Sequence, residues 1–302
     1  MTTFRIEALV LVVTSVIANC PCGNAKVSCK NAKNKDVDWF VVYKIPKTKP
    51  DSRSFMRPLG GEMAYYDSQS KTPRWTLLPD DINNKTNNPI KNTLAPIYEK
   101  QSKIAYLAYN DQLPHKFNGT RGGHTKGVLL AGTKMDLGSV WLQHSVPRFV
   151  EDVSKGYMYP KNGRENGQLF FCITFPLPTV EKIYIYTEEL SGHVQDSITV
   201  QTWKNGAGGA QDMHCKGQYK ITDVVDVAVR TQNGALYFSS REDHSKWSVA
   251  RHKAVFCFSS LNRMVSQWRR GGEITCIYDM PLAKLFRESI SKRNVCKGET
   301  AQ

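Results

Sequence analysis

The chain has 302 residues, with 41 Lys plus Arg against 27 Asp plus Glu and a formal net charge of +14 at pH 7. That length carries one large domain or two small ones with ample sequence to bury a core, and it excludes a disordered or fibrous chain. The positive field draws polyanions such as nucleic acid or anionic glycans, and because the charge is spread along the chain rather than gathered in a tail, it does not choose among them.

Arg5 in a short polar start, an apolar run from Ala8 to Ile17, and small Ala18 with Val16 two residues before it predict a secretory signal over residues 1–18. The run is about ten residues, too short to span a bilayer, and no later segment is apolar for long enough, so the expected mature protein is soluble and contacts no membrane. Eight cysteines, at positions 20, 22, 29, 172, 215, 257, 276 and 296, suit an oxidising compartment, secreted or lysosomal. Cys20-Pro21-Cys22 leaves one residue between its sulfurs, and no other Cys or His shows zinc-ligand spacing. Disulfides rather than a metal site are expected. Asn84-Lys85-Thr86 and Asn118-Gly119-Thr120 are glycosylation sequons in polar, turn-rich surroundings.

Residues 37–44 are β-branched and aromatic and stop at Pro46, which predicts a buried strand followed by a charged, proline-bearing loop over 46–60. A second strand is expected over 104–109, then a polar stretch over 110–120. Arg121-Gly122-Gly123 leads into His124, with two glycines that let the backbone approach an anion. Strands are predicted over 127–131 and 140–142, the latter ending at His144-Ser145 before Pro147, and over 169–175, closed by Pro176 and Pro178. In the last third, His244-Ser245-Lys246-Trp247 leads to a strand over 254–258 and then Ser259-Ser260-Leu261-Asn262. Apolar Leu282, Leu285, Phe286 and Ile290 recur at helical spacing and predict a helix over 282–291 facing the core. Strands mixed with helices imply an α/β or α+β domain.

The pattern histidine, hydroxyl residue, lysine occurs twice, at His124-Thr125-Lys126 and His244-Ser245-Lys246. On a strand, residues two apart point the same way, so each copy presents an imidazole and an ammonium on one face. That combination suits phosphate chemistry: an imidazole attacks phosphorus or protonates a leaving oxygen, while the lysine offsets charge on the non-bridging oxygens. Seven histidines in a lysine-rich chain give roughly one such triplet by accident, so the pattern alone is weak. Each copy is followed by a strand and then polar residues, at 144–145 and 259–262, which suggests a diverged internal duplication.

Four segments carry a resemblance to a family: residues 37–46 (VDWFVVYKIP), 123–128 (GHTKGV), 144–147 (HSVP) and 242–247 (EDHSKW). Together, and in this order, they resemble the signature segments of deoxyribonuclease II, and they span nearly the whole chain after the signal. The resemblance implies a phospholipase-D-like fold over 19–302, with a first half over 29–180 and a shortened second half over 181–302 sharing one active site. It also implies DNA as substrate and hydrolysis without metal or other cofactor, leaving 3′-phosphate ends. Carried over by position, His124 and His244 are nucleophile and general acid, with His124 taken as the nucleophile and the order left open. Lys126 and Lys246 hold the scissile phosphate, and His144, Ser145 and Asn262 are expected to contact substrate. The cysteine pattern resembles the family's pairing of Cys29 with Cys172, Cys215 with Cys296, and Cys257 with Cys276. Between residues 184–186 and 199–203 the family has a longer stretch than this chain does. The competing expectation is therefore a catalytically impaired secreted protein of the same fold that binds DNA or a host partner. A lipid phosphodiesterase ranks last, since the sequence has no lipid-binding apolar stripe.

Overall fold

The computed structural model describes residues 9–12, 27–100, 104–112, 124–132, 138–176, 194–206, 209–267 and 272–298. Short runs of β-branched and aromatic residues separated by Gly, Pro and polar turns make strands the dominant element. A strand β1 (Leu9–Val12) and a ribbon of β2 (Cys29–Lys30) and β3 (Asp36–Val37) precede β4 (Trp39–Lys44). There follow β5 (Met63–Asp67), β6 (Thr76–Leu77), helix α1 (Pro89–Tyr98), β7 (Ile104–Asn110), β8 (Lys126–Gly132), β9 (Ser139–His144) and β10 (Gln168–Phe175). The chain continues through β11 (Ile198–Gln201), β12 (Ile221–Thr231), β13 (Gly234–Ser239), β14 (Trp247–Ala250), β15 (Val255–Ser259), β16 (Glu273–Tyr278), helix α2 (Met280–Glu288) and β17 (Ile290–Arg293).

These strands form two large sheets. The first is antiparallel throughout, in the order β6-β5-β4-β10-β9-β8-β7. The second runs β1-β16-β15-β14-β11-β12-β13, with β17 added on β12, and it is parallel only at the β1/β16 and β11/β12 pairs. Its core-facing residues and those of the first sheet form one cluster, which follows from the period of two along each strand. Trp39, Val41 and Tyr43 of β4 and Leu169, Phe171 and Ile173 of β10 point into it, against Trp247, Phe256, Phe258 and the α2 residues Leu282, Leu285 and Phe286. The alternate residues Phe40, Val42, Phe170 and Cys172 face the opposite side, where Ile90, Leu94 and Ile97 of α1 cover them.

Helix α1 was not expected from apolar spacing. It starts because the Asn88 carboxamide oxygen accepts from the Ile90 and Lys91 N–H groups, both at 3.1 Å, with Pro89 at the first helical position, where a missing N–H costs nothing. Helix α2 starts on Asp279, which accepts from the Leu282 N–H at 2.7 Å, and it is shorter at its C-terminal end than the predicted 282–291. Ser289 ends it: its hydroxyl donates to the Leu285 carbonyl at 2.9 Å and accepts from the Trp75 indole at 2.9 Å, and Ile290 leaves to pair with Val227 of β12.

The disulfides Cys29–Cys172, Cys215–Cys296 and Cys257–Cys276 are formed as the family pattern implied. Cys20 and Cys22 lie outside the described residues. Among the described residues no helix is long and apolar enough to cross a membrane. The architecture is mixed α/β, mostly sheet.

Candidate active site

Strand β8 opens with Lys126, and its neighbour β7 delivers Asp111 beside it, because Asn110 pairs with Lys126 and the Asp111 N–H donates to the Thr125 carbonyl at 3.2 Å. The Asp111 carboxylate forms an ion pair with the Lys126 ammonium, and its other oxygen lies 3.8 Å from His124 Nε2. All three groups are largely withdrawn from solvent, so the carboxylate acts on its neighbours with little screening.

The second copy is built at the start of β14, on the other sheet. Gly167 of the first half forms a parallel bridge with Asp243: its N–H donates to the Glu242 carbonyl at 2.7 Å, and its carbonyl accepts from the His244 N–H at 2.8 Å. The two halves are therefore stitched together at the residue that carries the imidazole. The Lys246 ammonium folds back on the His244 carbonyl at 2.6 Å, and the Trp203 ring meets the His244 ring edge-on with centroids 4.6 Å apart.

The two elements converge. Burial, then the positive charges of Lys246, Lys126 and Lys44, push the His244 imidazole down to about 3, so it is neutral in mildly acidic water. Lys126 of the first element and Lys246 of the second thus act on one ring. Lys44, itself pushed down to about 7 mainly by burial, donates to the Arg164 and Asn166 carbonyls beneath it. Glu273, on β16 of the second sheet, reaches the first element. It accepts from the Tyr109 hydroxyl at 3.0 Å and from the Lys126 backbone N–H, with the Gln143 amide beside it. The Trp141 indole in turn donates to Tyr109 at 2.8 Å.

His144 is a core histidine next to this cleft, 1% exposed and packed between Phe149 and Phe170. Its Nδ1 accepts from the Val146 N–H at 3.2 Å, and burial and the Lys126 charge push it down to about 3. The proton of the neutral ring therefore sits on Nε2, which is shut off from solvent and has no hydrogen-bond partner among the described residues. Ser145 sits differently from a substrate contact: its hydroxyl donates to Gln168 Oε1 at 2.5 Å and accepts from the Leu169 N–H at 3.0 Å, which ties β9 to β10. Asn262 lines a cavity of about 330 Å³ with Trp247, Thr202 and Ile274, and its Oδ1 has no partner among the described residues.

Trp39 is in the core, whereas Trp203 lies against His244. Asp38 is tied to Ser68 and to the Thr174 N–H, in a structural role. His214 and His252 are exposed, and Asn84 is exposed on its loop. Asn118, His115, His193, Arg269 and Arg270 lie outside the described residues. Sequence reasoning did not find Asp111, Glu273, Tyr109 or Lys44. Each is a polar or ionisable group drawn at least partly out of solvent by strand pairing, which is visible only once the strands are paired.

Burial lifts Glu273 from 4.5 to about 7, against the lowering effect of its Tyr109 hydrogen bond. A carboxyl with a raised folded value stabilises the protein fully below its unfolded value, and that contribution is lost as pH rises through the folded one. The stability of the native chain relative to Glu273→Gln is therefore expected to fall by about 3 kcal/mol between pH 4.5 and 7, read from urea unfolding at each pH. A difference that stays flat over that window would remove the assignment. The comparison must be a difference, because His144 and His244, held neutral down to about 3, contribute the opposite slope.

Two sheets bonded to each other at His244, each carrying one His-x-Lys element, offer imidazole and ammonium groups of the kind phosphoryl chemistry uses. The profile of deoxyribonuclease II matches residues 28–187 and 182–296, and the chain belongs to that family. It is 28% identical to Plancitoxin-1 of Acanthaster planci over 345 aligned positions, covering 89% of this chain and 92% of that protein. It is 28% identical to cell-death-related nuclease 7 of Caenorhabditis elegans over 349 positions, covering 92% and 90%. Against deoxyribonuclease-2-alpha of Rattus norvegicus the figures are 29% over 341 positions, 89% and 95%. These alignments are longer than the 302-residue chain, so they hold positions that it lacks. The two profile matches meet at residues 182–187, where the link between the halves begins.

Proposed function

We propose that the protein is an acid endonuclease, secreted or lysosomal after loss of residues 1–18, a loss that takes only the edge strand β1 from the second sheet, and that it hydrolyses DNA phosphodiesters without metal and leaves 3′-phosphate and 5′-hydroxyl ends. One observation carries the reading: the first sheet is bonded at Gly167 to His244, and Glu273 of the second sheet accepts from Tyr109 next to Lys126, which joins the two sheets that carry the His-x-Lys elements. Family membership supplies the substrate class.

In this reading Lys126 and Lys246 offset the charge of the non-bridging oxygens. The His244 imidazole, neutral in the free protein, attacks phosphorus. The P–O5′ bond breaks as His124, whose Nε2 lies 3.8 Å from the Asp111 carboxylate, acts as the general acid and gives a proton to O5′. The now neutral His124 then takes a proton from water, whose oxygen attacks phosphorus. The N–P bond breaks and the 3′-phosphate leaves. These roles reverse the order taken from the sequence, where His124 was the nucleophile. The reversal rests on His244, which its burial and the lysines around it keep neutral and so able to attack.

Purified protein lacking residues 1–18 is expected to nick supercoiled plasmid at acidic pH in excess chelator. Strict dependence on added magnesium would contradict the proposal, since imidazoles and ammonium groups here take the parts a metal would play. A DNA-binding protein of the same fold without catalysis is the second reading, and the positions that the relatives hold and this chain lacks favour it. Salt-sensitive binding with no nicking would identify that case.

A further inference from the structure

The last two residues of β4 reach out of the first half and grip the second half's His244 from two sides. Tyr43 is fully buried between the sheets, and its hydroxyl donates to Asp243 Oδ2 while accepting from the Trp247 indole at 3.1 Å. Ser245 closes the same network: its hydroxyl donates to Asp243 Oδ2 at 2.6 Å and its N–H to Oδ1 at 2.9 Å. Both oxygens of a buried carboxylate are thereby committed one residue before His244. Lys44 points to the opposite face of the strand, and its ammonium donates to the Arg164 and Asn166 carbonyls, fixing the segment that enters Gly167. Gly167 is the backbone partner of His244. A Cβ there would lie 2.5 Å from Asp243 Oδ1 and 3.3 Å from its Cα, so only glycine permits the approach.

We propose that Tyr43 and Asp243 are a positioning pair that sets the His244 ring for attack, so that the first half fixes the geometry of the second half's nucleophile. Neither residue faces the phosphate, and both act through the backbone of residue 244, with Trp203 limiting the ring's rotation. The inference rests on the nuclease reading for its kinetic arm only. A hydroxyl lost at this distance from the chemistry costs rate rather than affinity, because a misaligned attacking atom still allows substrate to bind.

Tyr43→Phe keeps the ring and removes the donor. It is expected to lower kcat for oligonucleotide cleavage roughly 10- to 100-fold with KM within about twofold. In histidine-labelled protein, assigned with His124→Ala and His244→Ala, the His244 ring resonances are expected to shift while those of His124 stay. Unchanged kcat would overturn the proposal, and so would a loss of kcat with the His244 resonances unmoved, as would a loss carried by KM. Should Tyr43→Phe fail to fold, Ser245→Ala removes a second donor to the same oxygen and is judged by the same readouts. If the native protein does not nick DNA at all, the nuclease reading fails, while a shifted His244 resonance in Tyr43→Phe still supports the pair and an unmoved one still overturns it.

Discussion

His244→Ala is expected to lose at least roughly 10⁴-fold in the single-turnover rate of plasmid nicking at acidic pH, and His124→Ala roughly 10²- to 10⁴-fold. The two losses differ because the residues do different work. Without His244 no nitrogen is left to attack phosphorus from the cleft, and the lysines that lower its pKa can only bind the substrate. Without His124 the attack still occurs but O5′ leaves without a proton, the size of penalty general acids usually remove. Both rings border the cleft rather than fill a core, so both variants are expected to melt close to the native protein. Equal, modest losses, or loss of fold in both, would contradict the assignment.

Phe286→Ala is expected to cost about 3–5 kcal/mol of stability, the largest effect of any single truncation considered. Phe286 is fully buried on α2, and its ring lies 4.1 Å from Phe256, 4.9 Å from Trp247, 5.4 Å from Trp75 and 6.5 Å from Tyr43. Those four rings come from both sheets and from the loop before β6, so a cavity here has no single element that collapses into it. Urea unfolding gives the number from the shift in midpoint at constant slope. A cost under about 1 kcal/mol would mean that the sheets do not depend on this contact. Since Trp247 and Tyr43 lean on the ring and belong to the Asp243 network, nicking is expected to weaken even where the variant stays folded.

The strands were legible where β-branched and aromatic residues run together and end at a proline or glycine. The stretches read over 104–109, 127–131 and 169–175 match β7, β8 and β10 within a residue or two, and the run over 37–44 holds β4. Helix α1 went unread in a segment that holds Pro89 and Pro96; the first sits where a helix tolerates it, and the capping Asn88 was the available signal. The β12/β13 hairpin also went unread, although Asn233-Gly234 between two apolar runs is a turn signal. At the site, the repeated triplets pointed to both histidines and both lysines. What orients them was invisible, since it comes from far along the chain: Tyr109 meets Glu273 across 164 positions and Tyr43 meets Asp243 across 200. Ser145 illustrates the converse. Its place beside His144 marks it out in the sequence, and in the fold its hydroxyl is spent on joining two strands.

The most direct test of a shared phosphodiester is a covalent one. An oligonucleotide labelled at its 5′ end, mixed with native protein at acidic pH and quenched in alkaline denaturant, should carry its label onto the protein through a phosphoramidate at His244. The label should be absent from His244→Ala and should still form, more slowly, in His124→Ala. A label that maps to neither histidine, or to His124 with His244→Ala labelled normally, would contradict the account.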